Sequence, residues 1–255
     1  MSYVDLQATL RDWPYEPDKI SVRKILGADD VIRIQMRVEM GIVQMEAKGR
    51  PDGARPFGCE SLLAHQLRRI ARRDQRKAKS KDCTLSPADC AALRTEASLY
   101  YRRYIAYFVL EEFANVLADT SHSLAIFDLC RDFAQEPADR TALEDFRPYV
   151  MMMHSRALAY HALEEGEPAS ALAHVNRGII DIKAHYEERG QTDAVHTSEE
   201  IRILRALANE LGGKLPQNSL LSTRKALRVA IREERFEEAA RLRDELKNLY
   251  YPRAG

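Results

Sequence analysis

Hydrophobic periodicity changes once along this chain of 255 residues, and that change limits the folds open to it. Within 20–46, apolar residues recur at every second position. Ile32, Ile34, Met36 and Val38 fall on one side, with Arg33, Gln35, Arg37 and Glu39 on the other. That is the pattern of a half-buried strand. Ile20, Val22 and Lys24 begin a strand before it, and Gly27-Ala28-Asp29-Asp30 supplies a turn. Gly41 predicts a bulge or bend ahead of a third strand over 42–46. Three strands alone are marginal, so the apolar face of such an antiparallel meander should rest on helices. From residue 59 onward the apolar spacing is helical. The expected fold class is α+β, mainly α.

The helical part divides at turn residues. Residues 49–58 (Gly49-Arg50-Pro51-Asp52-Gly53-Ala54-Arg55-Pro56-Phe57-Gly58) are turn chemistry and lack the order of a phosphate-binding loop. A helix over 59–79 carries Leu62, Leu63, Leu67 and Ile70 as its buried stripe, and 78–85 reads as a hinge. Ser86, Pro87 and Asp89 form a helix start. The helix that follows is expected to run to about Leu117, with Leu93, Tyr100, Tyr104, Tyr107, Phe108 and Phe113 in the core. Tyr100, Tyr101, Tyr104 and Tyr107 beside Arg102 and Arg103 read as core rather than a base-gripping surface. A shorter helix is expected over 122–133, a loop over 136–145, and helices over 147–165 and 169–190 joined at Gly166-Glu167-Pro168. A last capped helix covers 197–211, with Ile201, Leu204, Leu207 and Leu211 aligned and Thr197 or Ser198 at its cap. Gly212-Gly213-Lys214-Leu215-Pro216-Gln217-Asn218 then reads as a linker.

Composition narrows the function. Basic and acidic residues balance at 39 each, so no global field draws the chain to nucleic acid or membrane. No apolar run approaches the length of a membrane span, and the amino-terminal residues lack a signal-peptide layout. Cys59, Cys83, Cys90 and Cys130 show no ligand spacing and read as reduced thiols in a cytoplasmic protein. One local charge cluster stands out. Arg68, Arg69, Arg72, Arg73, Arg76 and Lys77, followed by Lys79 and Lys81, form a basic run in which 69, 72, 73, 76 and 77 share one helical face, a candidate nucleic-acid contact. No aromatic residues interleave with it, which favours a solvated helix end.

Catalysis finds no support in the motifs. HExxH, GxSxG and Walker-type patterns are absent. His154 and His161 lie two turns apart on one helix, about 10 Å by the helix rise and too far for a shared metal. His174, His185, Glu164, Glu165 and Glu167 add no ligand-spaced set. The expectation is no enzyme, no catalytic residues, no metal and no cofactor.

The last segment, RKALRVAIREERFEEAARLRDELKNL over 224–249, reads as two amphipathic helices joined by a polar turn near Glu234 and Arg235. Leu227 and Ile231 lie on the first helix, and Phe236, Ala239, Ala240, Leu246 and Leu249 form a stripe on the second. Arg243 and Asp244 belong to a charged rim that would set register and partner choice. Helices this short are marginal alone. Ala239 and Ala240 are small enough to let another helix approach. The segment resembles the UVR motif of the bacterial excision-repair proteins UvrB and UvrC. The residues carrying the likeness are Ala230, Ile231, Glu234, Phe236, Glu237, Ala239, Ala240, Arg243, Asp244, Leu246 and Leu249. The resemblance implies a protein-docking hairpin without chemistry of its own, a device found also in a regulator of a protein-arginine kinase and in Clp-type unfoldases.

A second resemblance lies upstream. Ala159, Ala162, Gly166, Ala171, Val175 and Gly178 fall at the spacing of a tetratricopeptide repeat. Phe113, Val116, Ala125 and Leu129 suggest a looser unit before it. Taken end to end, the chain resembles a bacterial family with a β-rich start, a helical middle and a UVR tail. The expected architecture is a β-meander segment (1–58), a basic helix and linker (59–82), a tetratricopeptide-like antiparallel helical array (83–211), a linker (212–218) and a UVR-like helical hairpin (219–250). The expected function is a non-enzymatic adaptor that docks a protein partner, or a second copy of itself, through the hairpin. The alternative is a nucleic-acid-binding protein, associated with DNA repair, that uses the basic helix 68–81.

Overall fold

The computed structural model describes residues 6–74, 84–214, 219–233 and 235–250. After a short helix α1 (Gln7–Arg11), strands β1 (Val22–Leu26), β2 (Ile32–Val38) and β3 (Gly41–Glu46) form one antiparallel sheet in that order. Ile34 pairs with Lys24 on one side and Met45 on the other, and both Ile34 and Met45 are buried. The opposite face carries a polar ladder. Arg23 donates to Gln35 (2.9 Å), Gln35 to Gln44 (2.9 Å) and Arg33 to Glu46 (2.9 Å), all register partners.

Three details of the sheet differ from the expected alternation. Ile32 is half exposed, because it pairs with Leu26 at the open end of the sheet. Arg37 is buried instead of wet. Its guanidinium donates to the carbonyls of Trp13 (2.8 Å), Val38 and Gly41 (2.9 Å), and it lies over the Tyr15 ring, so the amino-terminal lead-in crosses that face. Gly41 makes no bulge: it pairs with Val38 in register.

Helices α2 (Leu62–Asp74), α3 (Pro87–Val109), α4 (Phe113–Phe133), α5 (Pro137–Thr141), α6 (Arg147–Glu164), α7 (Pro168–Glu188), α8 (Ala194–Thr197), α9 (Glu199–Lys214), α10 (Ser219–Arg232) and α11 (Phe236–Tyr250) follow. Single 3-10 turns occur at Pro56–Gly58 and Glu144–Phe146. The chain is mainly helical with a small three-stranded sheet, as the periodicity predicts. It forms two compact units, 1–208 and 209–255, with the division inside α9.

The core of the first unit joins α2, α3, α4 and α6 through Leu62, Leu63, Leu93, Ile126, Phe127, Leu129 and Val150. Leu67 does not belong to it and is 48% exposed; Gln66 takes the inward position and donates to Asp89 (3.1 Å). Asp89 in turn closes a capping box with Ser86 at the predicted helix start of α3. Of the predicted hinge, residues 78–83 lie outside the described set. Its last residue, Leu85, is fully buried and pinned between the backbones of Phe133 and Gln135 (2.7 and 3.0 Å).

The helix from Pro87 stops at Val109, short of Leu117. Glu111 adopts a left-handed conformation (φ 59°), Glu112 N–H closes back on the Tyr107 carbonyl (2.9 Å), and α4 starts at Phe113. Residues 113–133 are therefore one helix. Phe113, Val116, Ala125 and Leu129 cannot mark the two arms of a repeat unit. Helices α6 and α7 pack against each other. Ala159, Ala171 and Val175 have no exposed surface, and Gly166 turns the chain at φ 77°. Helix α9 starts with Ser198 accepting from Ile201 N–H (3.2 Å) and buries Ile201, Leu204, Leu207 and Leu211. It continues through Gly212 and Gly213 to Lys214, so the predicted linker does not begin at 212; residues 215–218 lie outside the described set.

Buried ionic groups seat the sheet on α3 and α4. Glu96, with no exposed surface, accepts from the first N–H groups of α2, Leu62 (2.7 Å) and Leu63 (3.0 Å). It also meets His122 Nε2 (3.0 Å) and Arg50 (3.3 Å). Arg103 donates to both oxygens of Asp119 (2.8 and 2.7 Å) and to the carbonyls of Glu46 (2.9 Å) and Gly49 (2.7 Å). Tyr107 Oη donates to the Ala47 carbonyl (2.5 Å). Burial leaves the Asp119 carboxyl above its usual range, while at Arg103 the contact with Asp119 outweighs burial and raises the guanidinium. The bidentate geometry is that of an ionised pair. Tyr100, Tyr104 and Tyr107 are buried, as the core reading expects, whereas Tyr101 departs from it and is 46% exposed.

Candidate functional site

The carboxy-terminal hairpin is built from α10 and α11. Helix α10 ends at Arg232, and Arg235 N–H returns to the Ala230 carbonyl (2.8 Å). The Arg235 carbonyl then accepts from Ala239 N–H (2.9 Å), which starts α11. The Arg235 guanidinium pairs with Glu233 (2.7 Å) and Glu238, so the turn is held by its own charges. Glu237 and Glu238 lie in the first turn of α11, where the helix dipole favours acids.

Among the described residues the interior of this hairpin is built of few side chains. Ala230, Ala239 and Leu242 are buried, with Ala226 and Leu227 packed against them. This revises the expected docking stripe. Ala239 and Leu227 are used inside the hairpin, because two alanines facing each other let the helix axes come close. Leu242, three residues after Ala239 and on the same helical face, was missing from the sequence reading; an i, i+3 count from Ala239 finds it. Among the described residues the outward apolar ones are Val229 (36% exposed), Ile231 (56% exposed), Phe236 (70% exposed) and Ala240. Phe236, Ala240 and the exposed Arg243 follow one another at i, i+4 and i+7 along α11. The side chains of Asp244, Leu246 and Leu249 lie outside the described set.

The basic helix is partly committed to local structure. Arg68 reaches the sulfur of Cys59 (3.4 Å). Arg69 donates to the Thr84 carbonyl (3.2 Å) and stands 3.8 Å from Asp89. Arg72 is exposed, and the side chains of Arg73, Arg76 and Lys77 lie outside the described set.

Other reactive residue types are packed away. Cys59, Cys90 and Cys130 are buried free thiols, and Cys83 lies outside the described residues. Burial pushes the Cys130 thiol up to about 12 and raises its neighbour Cys90, which opposes thiolate chemistry. His154 is held at Thr120 (2.8 Å), and burial lowers it, with His174 adding to the effect. His161 pairs with Glu164 at the surface, and His185 with the Glu144 carbonyl. Among the described residues no three His, Cys, Asp or Glu side chains converge as a metal site, and no helix is long and apolar enough to cross a membrane.

The family model of the UvrB/uvrC motif matches residues 217–251. The chain carries a UVR motif. The match covers both α10 and α11 and the turn between them. No curated protein and no solved structure matches the chain.

Proposed function

We propose that this chain is a non-enzymatic adaptor of the cytoplasm that docks a protein partner through its UVR motif, with the tetratricopeptide-like helical body as scaffold. The observation that carries this reading is the exposure of Phe236. A large aromatic ring stands 70% in solvent at the head of α11, while Ala230, Ala239 and Leu242 are buried inside the hairpin. Exposed aromatics of this kind anchor interfaces because one ring buries much area for few frozen torsions. Arg243 and the charges around Arg235 then act on partner choice.

The test separates docking from folding. Phe236→Glu should lower the affinity of a captured partner, or of self-association measured by sedimentation, by roughly 10-fold or more, the scale of an interface anchor. Helical content should not change. Full retention of every association in Phe236→Glu would overturn the proposal, as would loss of the hairpin's helicity in that variant.

A further inference from the structure

The first unit contains a cavity of about 660 Å³ between α3, α4, residues 142–146 and α6, with Glu200 of α9 at its edge. This is the size of a small-molecule site. Its walls are mostly apolar: Ala97, Tyr101, Tyr104, Phe127, Phe146 and Tyr149. Tyr101 stands edge-on to Tyr104 (5.4 Å between centroids) and tilted against Tyr149 (6.0 Å). Tyr104 closes the inner end with 1% exposure, whereas Tyr101 (46%) and Phe146 (62%) leave aromatic surface open to solvent.

The polar groups on the lining indicate the charge of an occupant. Ser123 donates to the Asp119 carbonyl (3.0 Å) and Ser98 to the Thr95 carbonyl (2.7 Å), so neither hydroxyl proton is free for a ligand. Arg94, a basic side chain on the lining, is paired with Asp139 (2.5 Å). Asp145 is paired with Arg189 (2.7 Å). Glu200 accepts from Ser198 Oγ (2.8 Å), and among the described residues no basic side chain is paired with it. Two matched ion pairs cancel and one carboxylate remains. An anion would meet that carboxylate without an available cation. A neutral molecule would leave both the carboxylate and the negative faces of the rings unused. A positive group satisfies both.

From this lining we infer that the cavity binds a small organic cation, an ammonium group carried on a compact apolar body. The body occupies the aromatic walls and the ammonium lies toward Glu200. The site is separate from the UVR motif in residues and in chemistry.

Titration calorimetry of the full chain with benzyltrimethylammonium tests this, with 3-phenylpropanol as neutral comparator and 3-phenylpropanoate as anion. The cation should bind saturably and about tenfold tighter than the alcohol, the scale of a desolvated cation–π contact, with the anion weakest. Glu200→Gln should weaken the cation about fivefold and leave the alcohol unchanged, because it removes charge and keeps the Ser198 contact. Ser98→Trp, at an exposed position on the lining, should fill the mouth and abolish binding without moving the melting temperature. If that variant does not fold, the half-exposed Tyr101→Leu takes its place and should weaken the cation more than the alcohol. Equal affinity for cation and alcohol, no saturable binding of the cation, or undiminished binding in the lining variant would each overturn the inference.

Discussion

The carboxylate of Glu96 has no exposed surface, yet it caps α2, meets His122 and lies 3.3 Å from Arg50. Burial pushes this carboxyl up, but the hydrogen bonds from His122 and from the backbone of Leu62 and Leu63 outweigh it and hold the group below the ordinary 4.5. A carboxylate depressed in the folded state contributes stability above its unfolded value and loses that contribution as pH falls through the folded one. The protein should therefore lose stability below about pH 4.5. Glu96→Gln should lower stability at neutral pH by about 1–3 kcal/mol, because buried donors lose their charged acceptor, and should flatten the acid slope. Urea titrations at several pH values check both. Gly178 makes a second residue-scale case. A Cβ built there would lie 2.6 Å from Ser155 Cβ and 3.3 Å from Leu204 Cδ1. Gly178→Ala should cost about 1–3 kcal/mol despite alanine's better helix propensity. Ser155→Gly should relieve part of that cost in the double variant, readable in a double-mutant cycle.

Elements end where a residue accepts an unfavourable conformation or a partner satisfies their open groups. The α3–α4 turn depends on Glu111 at φ 59°, a left-handed position that glycine adopts without strain. Glu111→Gly should raise the unfolding free energy by about 0.5–1 kcal/mol with no change in fold, by thermal or chemical denaturation. Among the described residues of the hairpin, Leu242 supplies the largest buried side chain, beside Ala230 and Ala239. Leu242→Asp should melt α10 and α11, lowering helicity by circular dichroism, whereas Phe236→Ser should leave helicity intact, since Phe236 is exposed. Opposite results would exchange the inner and outer faces assigned to α11.

At the scale of the whole molecule the two units differ in the buried apolar side chains found among their described residues. The first buries an extended core across α2, α3, α4 and α6, together with the ionic network under the sheet. In the hairpin of the second, the described buried side chains are Ala230, Ala239 and Leu242, with Ala226 and Leu227 packed against them. Amide hydrogen exchange should therefore open α10 and α11 at several kcal/mol less than the centres of α3 and α4, about the range between a local and a global opening. A partner or a second copy covering Phe236 should slow exchange in α11. Uniform protection across both units in the isolated chain would contradict the expectation.

Much of this was legible in local patterns. The period-two run places β2, Ser86 and Asp89 close their capping box, and the 217–251 segment is a UVR motif, because each signal acts within a few residues of itself. The end of α3 was not legible, since Leu110-Glu111-Glu112 carries no turn residue and the left-handed bend is enforced by α4 packing back on α3. Nor was the inward turn of Arg37, Gln66 and Ala239, whose burial depends on which surface faces them. The meeting of Glu96 with Leu62 and of Arg103 with Asp119 and Gly49, and the aromatic cavity, required tertiary structure. They join residues far apart in the chain, and their energies depend on distances that only packing sets.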